Sequence, residues 1–350
     1  MERGNQSTHL SGVSMKRDMV KWKQSIVDSK NRIAVPVMTH PGIVLRGNTV
    51  LATVTNPRFH FEAVQAVAAQ YPTGASTMIM DLSVEAEAFG AKIRFADDEV
   101  PSVMERCVSD AESIDLLSVP PLTQARLGQW LEASKLAAGT ISDRPVFAGC
   151  IGPFSLAGRL FDVTEVMTAI LTEPDSILAL LEKCTQFLIS YVKAFKAAGA
   201  NGLLIAEPVA GVLSADLCTE FSSNFVKRIV DAVQDDSFLV VLHNCGDTDT
   251  LVASMLSTGA NGLHFGNRCN IVQALEQIPA NVLVFGNIDP VGVFKSGSPD
   301  RVYSNTMHLL EATKAYRNFV LSSGCDVPPH VPLENIDAFF KALSDFNARK

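Results

Sequence analysis

Residues 199–203 of the sequence read Gly-Ala-Asn-Gly-Leu, and the same five residues return at 259–263. In both places a helical stretch ends on glycine and asparagine, which tolerate the left-handed backbone conformation of a helix C-cap. An apolar run that is typical of a buried strand follows each time. The repeat therefore predicts a helix-to-strand unit that the chain uses more than once.

The same alternation of apolar runs and helical periodicity covers most of the chain on both sides of this repeat. Eight runs are candidate strands, at residues 32–39, 76–81, 145–150, 202–207, 238–243, 262–265, 282–287 and 319–323. Helical stretches separate them, such as residues 59–70 and 174–198, and Ser298 is a candidate cap of another. No GxGxxG or GxxxxGK[ST] sequence follows the first strand, which disfavours nucleotide-binding folds. Eight such units predict an α/β fold, a single closed (β/α)8 TIM barrel.

Composition bounds the class of protein. Hydrophobic residues make up 47% of the 350 residues and charged residues only 19%, which indicates a large buried core and excludes disorder. The net charge of -8 argues against a nucleic-acid partner. The sequence contains no run of 18 uncharged apolar residues, so no membrane span is predicted. We expect a cytoplasmic protein with a flexible leader at residues 1–15. Because no Pro/Gly/Ser-rich linker divides residues 16–350, we expect one barrel domain there.

Reactive side chains of a parallel barrel gather where strands end. Here the fourth strand ends in Glu207, the fifth in His243 and Cys245, and the eighth is followed by Cys325. Residues i and i+2 of an extended chain point to the same side, so the side chains of His243 and Cys245 can bind the same ion or molecule. Imidazole and thiolate suit zinc, and Glu207 is a candidate for its fourth position. The spacing alone leaves the metal open, because the seven cysteines can also be small buried apolar residues.

Four segments resemble the uroporphyrinogen decarboxylase superfamily. They are MDLSVEAEAFGAKIRF at 80–95, HNCGDTDTL at 243–251, GNIDPVGVFKSGSPDRV at 286–302 and LSSGCDVPPHVPLENIDAF at 321–339. The resemblance covers the chain from about Val35 onward, and it implies a single α/β barrel.

The chain departs from true decarboxylases after the first strand. Those enzymes carry an arginine-rich loop there that binds substrate carboxylates, whereas residues 37–42 here read VMTHPG with only Arg46 nearby. A tetrapyrrole with many carboxylates would lose its anchors without those cations. Asp81 stands where the resemblance places a catalytic aspartate, and it is therefore a candidate catalytic residue.

The methylcobalamin:coenzyme M methyltransferase branch is the more similar one, since its zinc motif is H-x-C followed by a distant cysteine. This resemblance implies that His243, Cys245 and Cys325 bind Zn²⁺ and that Glu207 is a catalytic, replaceable ligand. It implies a zinc-dependent corrinoid methyltransferase of one-carbon metabolism. A methylated corrinoid (methylcobalamin) on a small corrinoid-binding protein would donate the methyl group, and a small thiol such as coenzyme M would accept it.

Four more residues at strand ends are candidates for substrate binding, although each can also have a local structural role: His40, His264, Asn287 and Asp289. Three alternative functions stay open. They are a corrinoid-dependent demethylase of a methoxylated or methylated substrate, a uroporphyrinogen decarboxylase-like lyase, and a non-enzymatic corrinoid or porphyrin carrier. The sequence leaves open the acceptor, the direction of transfer, the role of Asp81, and whether the chain forms a homo-oligomer.

Overall fold

Seven parallel strands lie side by side in one curved sheet of the computed structural model, which describes residues 16–349. The sheet order is β1-β4-β5-β6-β7-β8-β9. These strands are β1 (Ser76–Thr77), β4 (Val146–Ile151), β5 (Gly202–Ala206), β6 (Leu239–Asn244), β7 (Gly262–Phe265), β8 (Leu283–Ile288) and β9 (Phe319–Ser323). A hairpin that the sequence analysis missed, β2 (Ile93–Arg94) with β3 (Ser102–Val103), follows β1 along the chain.

The extended segment at residues 33–37 closes the ring between β9 and β1. The Val35 amide donates to the Leu321 carbonyl at 2.9 Å, and the Leu321 amide donates to the Ile33 carbonyl at 3.2 Å. On the other side, the Gly74 amide donates to the Ala34 carbonyl at 2.7 Å. The predicted (β/α)8 TIM barrel is thus confirmed. Its first strand is shorter than expected, with one ladder bridge at Ala34.

Sixteen α-helices accompany the strands of the described chain. They are α1 (Met19–Asp28), α2 (His40–Arg46), α3 (Val50–Val54), α4 (Pro57–Gln70), α5 (Val84–Ala88), α6 (Ala111–Leu116), α7 (Leu127–Thr140), α8 (Pro153–Phe161), α9 (Val163–Thr172), α10 (Pro174–Ala197), α11 (Ala215–Cys218), α12 (Asn224–Val233), α13 (Val252–Ser257), α14 (Ile271–Gln277), α15 (Pro299–Ala312) and α16 (Leu333–Ala348). The expected cap of α15 is present, because the Ser298 hydroxyl accepts from the Arg301 amide. None of the helices between residues 16 and 349 has both the length and the apolar composition needed to cross a bilayer. The predicted leader at residues 1–15 lies outside the described residues.

The repeated Gly-Ala-Asn-Gly-Leu segment turns helix into strand as predicted. Gly199 and Gly259 have φ angles of 101° and 74°, the left-handed conformation that an L side chain disfavours. The asparagines do not share this conformation and instead begin the sheet ladder. The Asn201 carbonyl accepts from Leu239 and the Asn261 carbonyl accepts from Leu283.

Side-chain alternation along the strands separates the filled bottom of the barrel from its reactive top. Leu204, Val241 and Val320 pack together inside the barrel, and Met19 of α1 belongs to the same buried cluster. The next inward positions are two residues further along each strand, at the carboxyl ends. On β6 that position is His243, so the strand aims its imidazole at the mouth of the barrel.

Candidate metal centre

His243, Cys245 and Cys325 come together at the mouth of the barrel. One ligand atom from each, an imidazole nitrogen or a Sγ, lies within 4.8 Å of the other two. His243 is buried, and both cysteines are half-buried and not in disulfides. The carboxyl ends of β6 and β9 thus bring together a pair of residues and a cysteine that are 80 positions apart in sequence. The juxtaposition expected from the sequence is present.

The thiols of Cys245 and Cys325 have pKa values that are shifted in opposite directions. The pKa of Cys245 is lowered because the Cys325 thiol donates a hydrogen bond to its sulfur and because His243 lies beside it. The pKa of Cys325 is raised, since its proton is held in that bond and the thiol is buried. Cys245 is therefore the more acidic thiol of the pair.

His243 presents one free nitrogen. Its Nδ1 lies 2.7 Å from Nδ1 of His264, whereas its Nε2 is buried and has no hydrogen-bond partner among the described residues. A buried imidazole nitrogen without a partner is costly unless something binds it. One imidazole and two thiols make a donor set that fits a tetrahedral zinc ion, which takes N and S ligands.

Glu207 follows β5 and is buried against the N-terminus of α8. One carboxylate oxygen accepts from the Phe154 amide at 2.9 Å, and the other accepts from the Ser155 amide at 2.8 Å and its hydroxyl at 2.6 Å. Burial raises the pKa of Glu207 to about 7 despite these donors. A Cβ at Gly152 would lie 2.3 Å from the Glu207 Cγ, so this packing requires glycine. These donors hold the carboxylate at the N-terminus of α8, and the ligand role of Glu207 stays a prediction.

A small cavity of about 70 Å³ opens beside the His243, Cys245 and Cys325 side chains. Its walls are largely apolar and include Val37, Met80, Leu82, Leu204 and Pro208. This volume has room for a short aliphatic group rather than for a macrocycle. A large planar ligand would therefore have to lie above the cavity.

Asp81, the candidate catalytic aspartate, is bound on both oxygens. Oδ2 forms an ion pair with Arg126 at 2.6 Å, and Oδ1 accepts from the Ser83 amide and hydroxyl at 3.0 and 2.6 Å. Arg126 also binds Glu87 at 2.5 Å and the Ser83 hydroxyl at 2.9 Å. This is the environment of a structural ion pair, and a catalytic role for Asp81 stays a prediction.

The four candidate substrate residues occupy different surroundings. The Asn287 amide donates to the carbonyls of Gly266 and Cys269, and Asp289 accepts from the Val291 and Gly292 amides. These contacts use polar atoms of both residues to shape loops. Their role in substrate binding stays a prediction.

The two remaining candidates, His40 and His264, are both buried histidines. His264 is 1% exposed and lies beside His243, with the two rings 4.6 Å apart at 77°. His40 Nδ1 lies 3.5 Å from Asp326, which lines the cavity. Burial lowers the pKa of His40, but the charge and hydrogen bond of Asp326, together with smaller contributions from the Val327 backbone and Asp81, outweigh burial, so the net pKa is raised. Substrate contacts of either histidine stay predictions.

Three further residues of the site escaped the sequence analysis: Ser322, Asp326 and Arg126. Ser322 occupies the inward position of β9 after Val320, so strand alternation was a usable signal. Asp326 directly follows a candidate ligand, which is a weaker signal. Arg126 lies 45 residues from Asp81 along the chain, and no local pattern connects the two.

The chain is a parallel α/β barrel with an imidazole and two thiols at the carboxyl ends of its strands. It therefore falls in the class of α/β barrels whose reactive groups lie at strand ends and in the loops that follow them. The comparison with known families narrows that class. The chain belongs to the uroporphyrinogen decarboxylase (URO-D) family, whose model matches residues 32–346.

Individual relatives span two activities by name. The chain is 30% identical over 270 residues to the methylcobamide:CoM methyltransferase MtbA of Methanosarcina mazei, covering 76% of this chain and 78% of the relative. It is 27% identical over 282 residues to the uroporphyrinogen decarboxylase of Desulfotalea psychrophila, covering 79% and 81%. A solved methyltransferase from Methanosarcina mazei superposes with a TM-score of 0.84 over 93% of this chain and 98% of that one, at 24% identity. The last comparison confirms the fold.

Proposed function

We propose that this chain is a zinc-dependent methyltransferase that moves a methyl group from a methylated corrinoid to a small thiol such as coenzyme M. Two observations carry the proposal. One imidazole nitrogen of His243 and the two thiol sulfurs lie within 4.8 Å of one another, and His243 Nε2 is buried without a hydrogen-bond partner among the described residues. The relatives named methylcobamide:CoM methyltransferases support the reaction class.

His243, Cys245 and Cys325 are the residues that would hold the metal. Zinc bound there would replace the proton of an incoming thiol, whose pKa of about 8.5 otherwise leaves only a few per cent as thiolate at neutral pH. Two thiolates and an imidazole offset the charge of the cation, so the acceptor sulfur keeps its nucleophilicity. The fourth position stays exchangeable, as a catalytic rather than a structural site requires.

The apolar cavity walls would position the acceptor and keep water away from it. Val37, Leu82 and Leu204 leave room for a short aliphatic chain next to the ligand atoms. Holding sulfur and methyl donor in line supplies a large part of the rate acceleration. The carbon–sulfur bond forms as the carbon–cobalt bond breaks, and the electron pair stays on cobalt, which leaves as Co(I).

The corrinoid would approach the carboxyl ends of the strands. The cavity is too small for the macrocycle, so the ring would cover the mouth and place its methyl group over Cys245 and Cys325. A small corrinoid-binding protein is the donor that fits this arrangement, since its own surface can add affinity and orientation. We place this reaction in one-carbon metabolism in the cytoplasm.

A decarboxylase would need Asp81 free to meet its substrate. The buried ion pair with Arg126 occupies one Asp81 oxygen and Ser83 occupies the other. We therefore place Asp81 in the scaffold and the chemistry at the three ligands. A transfer in the opposite direction would use the same ligands and differs only in the substrate.

The experiment is an anaerobic spectral assay with methylcobalamin and a panel of thiols, in which cobalt(I) release is followed by absorbance. We expect release with the wild type, loss of release in Cys325→Ser, and retention in Asp81→Asn when the rate is expressed per folded protein, because that change removes one partner of the buried ion pair with Arg126. Cys107→Ser is the matched control, because Cys107 is also half-buried and lies outside the ligand group. Activity that depends on Asp81 and not on Cys325 would overturn the proposal.

A further inference from the structure

A chain of hydrogen bonds runs inward from the candidate ligand His243. Its Nδ1 lies 2.7 Å from Nδ1 of His264, and Nε2 of His264 lies 2.9 Å from the Ser322 hydroxyl. The Ser322 hydroxyl in turn lies 2.8 Å from the Val35 carbonyl. His243 and His264 are paired across neighbouring parallel strands, which is why their rings meet on the same inner face of the barrel.

The direction of each bond follows from the inner end of the chain. A carbonyl oxygen can only accept, so the single proton of the Ser322 hydroxyl goes to Val35. Ser322 must then accept from His264, which places a proton on His264 Nε2. His264 is 1% exposed, and within the described chain its two ring nitrogens pair with His243 and Ser322, so a positive charge on this ring would be buried without a carboxylate partner. The ring is therefore neutral, and its Nδ1 carries a lone pair.

The lone pair on His264 Nδ1 decides which ring nitrogen of His243 carries the proton. Two ring nitrogens 2.7 Å apart need one proton between them, and His264 has none to give at Nδ1. His243 therefore carries its proton on Nδ1. In the neutral imidazole Nε2 then keeps its lone pair, and Nε2 is the buried atom without a partner.

We propose that His264 and Ser322 are positioning residues that fix the tautomer of His243, so that Nε2 is always the atom offered to the metal. The inference rests on the metal site of the proposed function. Groups of this kind behind a ligating histidine fix the ring orientation and raise its basicity, and their loss typically weakens metal binding about 10–100-fold.

The tautomers can be read without any metal. With ¹⁵N-labelled histidine, long-range ¹H–¹⁵N correlation spectra of the metal-free full chain distinguish Nδ1–H from Nε2–H rings among the seven histidines. Loss of signals in His243→Asn and His264→Asn assigns the two rings. We expect Nδ1–H at His243 and Nε2–H at His264. A protonated Nε2 at His243 would overturn the inference, whatever the methyl-transfer assay shows.

Metal affinity provides the second measurement, by competition of Zn²⁺ with a chromophoric chelator. We expect His264→Leu to bind zinc about 10–100-fold more weakly than wild type, and His264→Asn to recover part of the loss because its amide oxygen can accept from His243. Ser322→Ala should weaken binding in the same direction and is the smaller change if His264→Leu fails to fold.

His60→Leu is the matched control, because His60 is equally buried and accepts from the Ile79 amide away from the ligands. Equal weakening in His60→Leu, or zinc binding of wild-type strength in both His264→Leu and Ser322→Ala, would overturn the inference. Loss of methyl transfer in the presence of the expected tautomers and affinities would instead count against the proposed function alone.

Discussion

Replacing Arg126 by methionine should destabilise the protein far more than the same change at Arg228. The ion pair between Arg126 and Asp81 has side chains only 5% and 0% exposed, whereas those of Arg228 and Glu182 are each 43% exposed. Removing one partner of a buried pair leaves an uncompensated buried charge, at a cost of about 3–5 kcal/mol. Breaking an exposed pair costs about 1 kcal/mol or less, even with two bonds at 2.6 and 2.8 Å.

Urea unfolding followed by tryptophan fluorescence measures both changes. Trp130 is a suitable reporter because the Arg126 guanidinium lies 5.3 Å from its ring centroid. The double variant Asp81→Asn with Arg126→Met should recover part of the loss, since both buried charges are then gone. Equal losses of free energy of unfolding at Arg126 and Arg228, or no recovery in the double variant, would refute the view of Asp81 as a structural ion-pair residue.

Three other changes test separate parts of the molecule. Burial raises the pKa of Glu85 from 4.5 to about 8, so the folded wild type loses stability as the pH rises between those values, by up to about 1.4 kcal/mol per pH unit. The Tm advantage of Glu85→Gln over wild type should therefore grow from pH 5 to pH 8, and a constant difference would contradict this. Cys245→Ser should lose most of about one zinc per chain while Cys107→Ser keeps it, as metal analysis of the purified proteins can establish. Glu207→Gln should keep most of the zinc and change the affinity for the thiol; a protein without metal would instead make Glu207 an obligatory ligand.

The fold could be predicted from the sequence because its signals are local. A glycine that ends a helix and an apolar run after it are enough to indicate each βα unit, as at Gly199 and Gly259. The first two strands were predicted too long. Residues 32–39 make one ladder bridge, at Ala34, and β1 covers only Ser76 and Thr77.

Only those site residues whose side chains are themselves typical metal ligands could be predicted from the sequence. His243, Cys245 and Cys325 stand out as ligands at strand ends, and the barrel brings them together. The surroundings of Glu207 depend on the N-terminus of α8, which no pattern near residue 207 indicates. The place of His264 behind His243 depends on sheet register, which becomes visible only when both strands are aligned.

Zinc-edge X-ray absorption of the purified protein, with and without the acceptor thiol, tests whether His243, Cys245 and Cys325 bind zinc and leave one coordination position for the thiol. We expect a zinc ion with one imidazole and two sulfur ligands from His243, Cys245 and Cys325, and a third sulfur ligand when the thiol is added. A coordination shell that contains no cysteine sulfur, or one that stays unchanged across a broad panel of thiols, would contradict it.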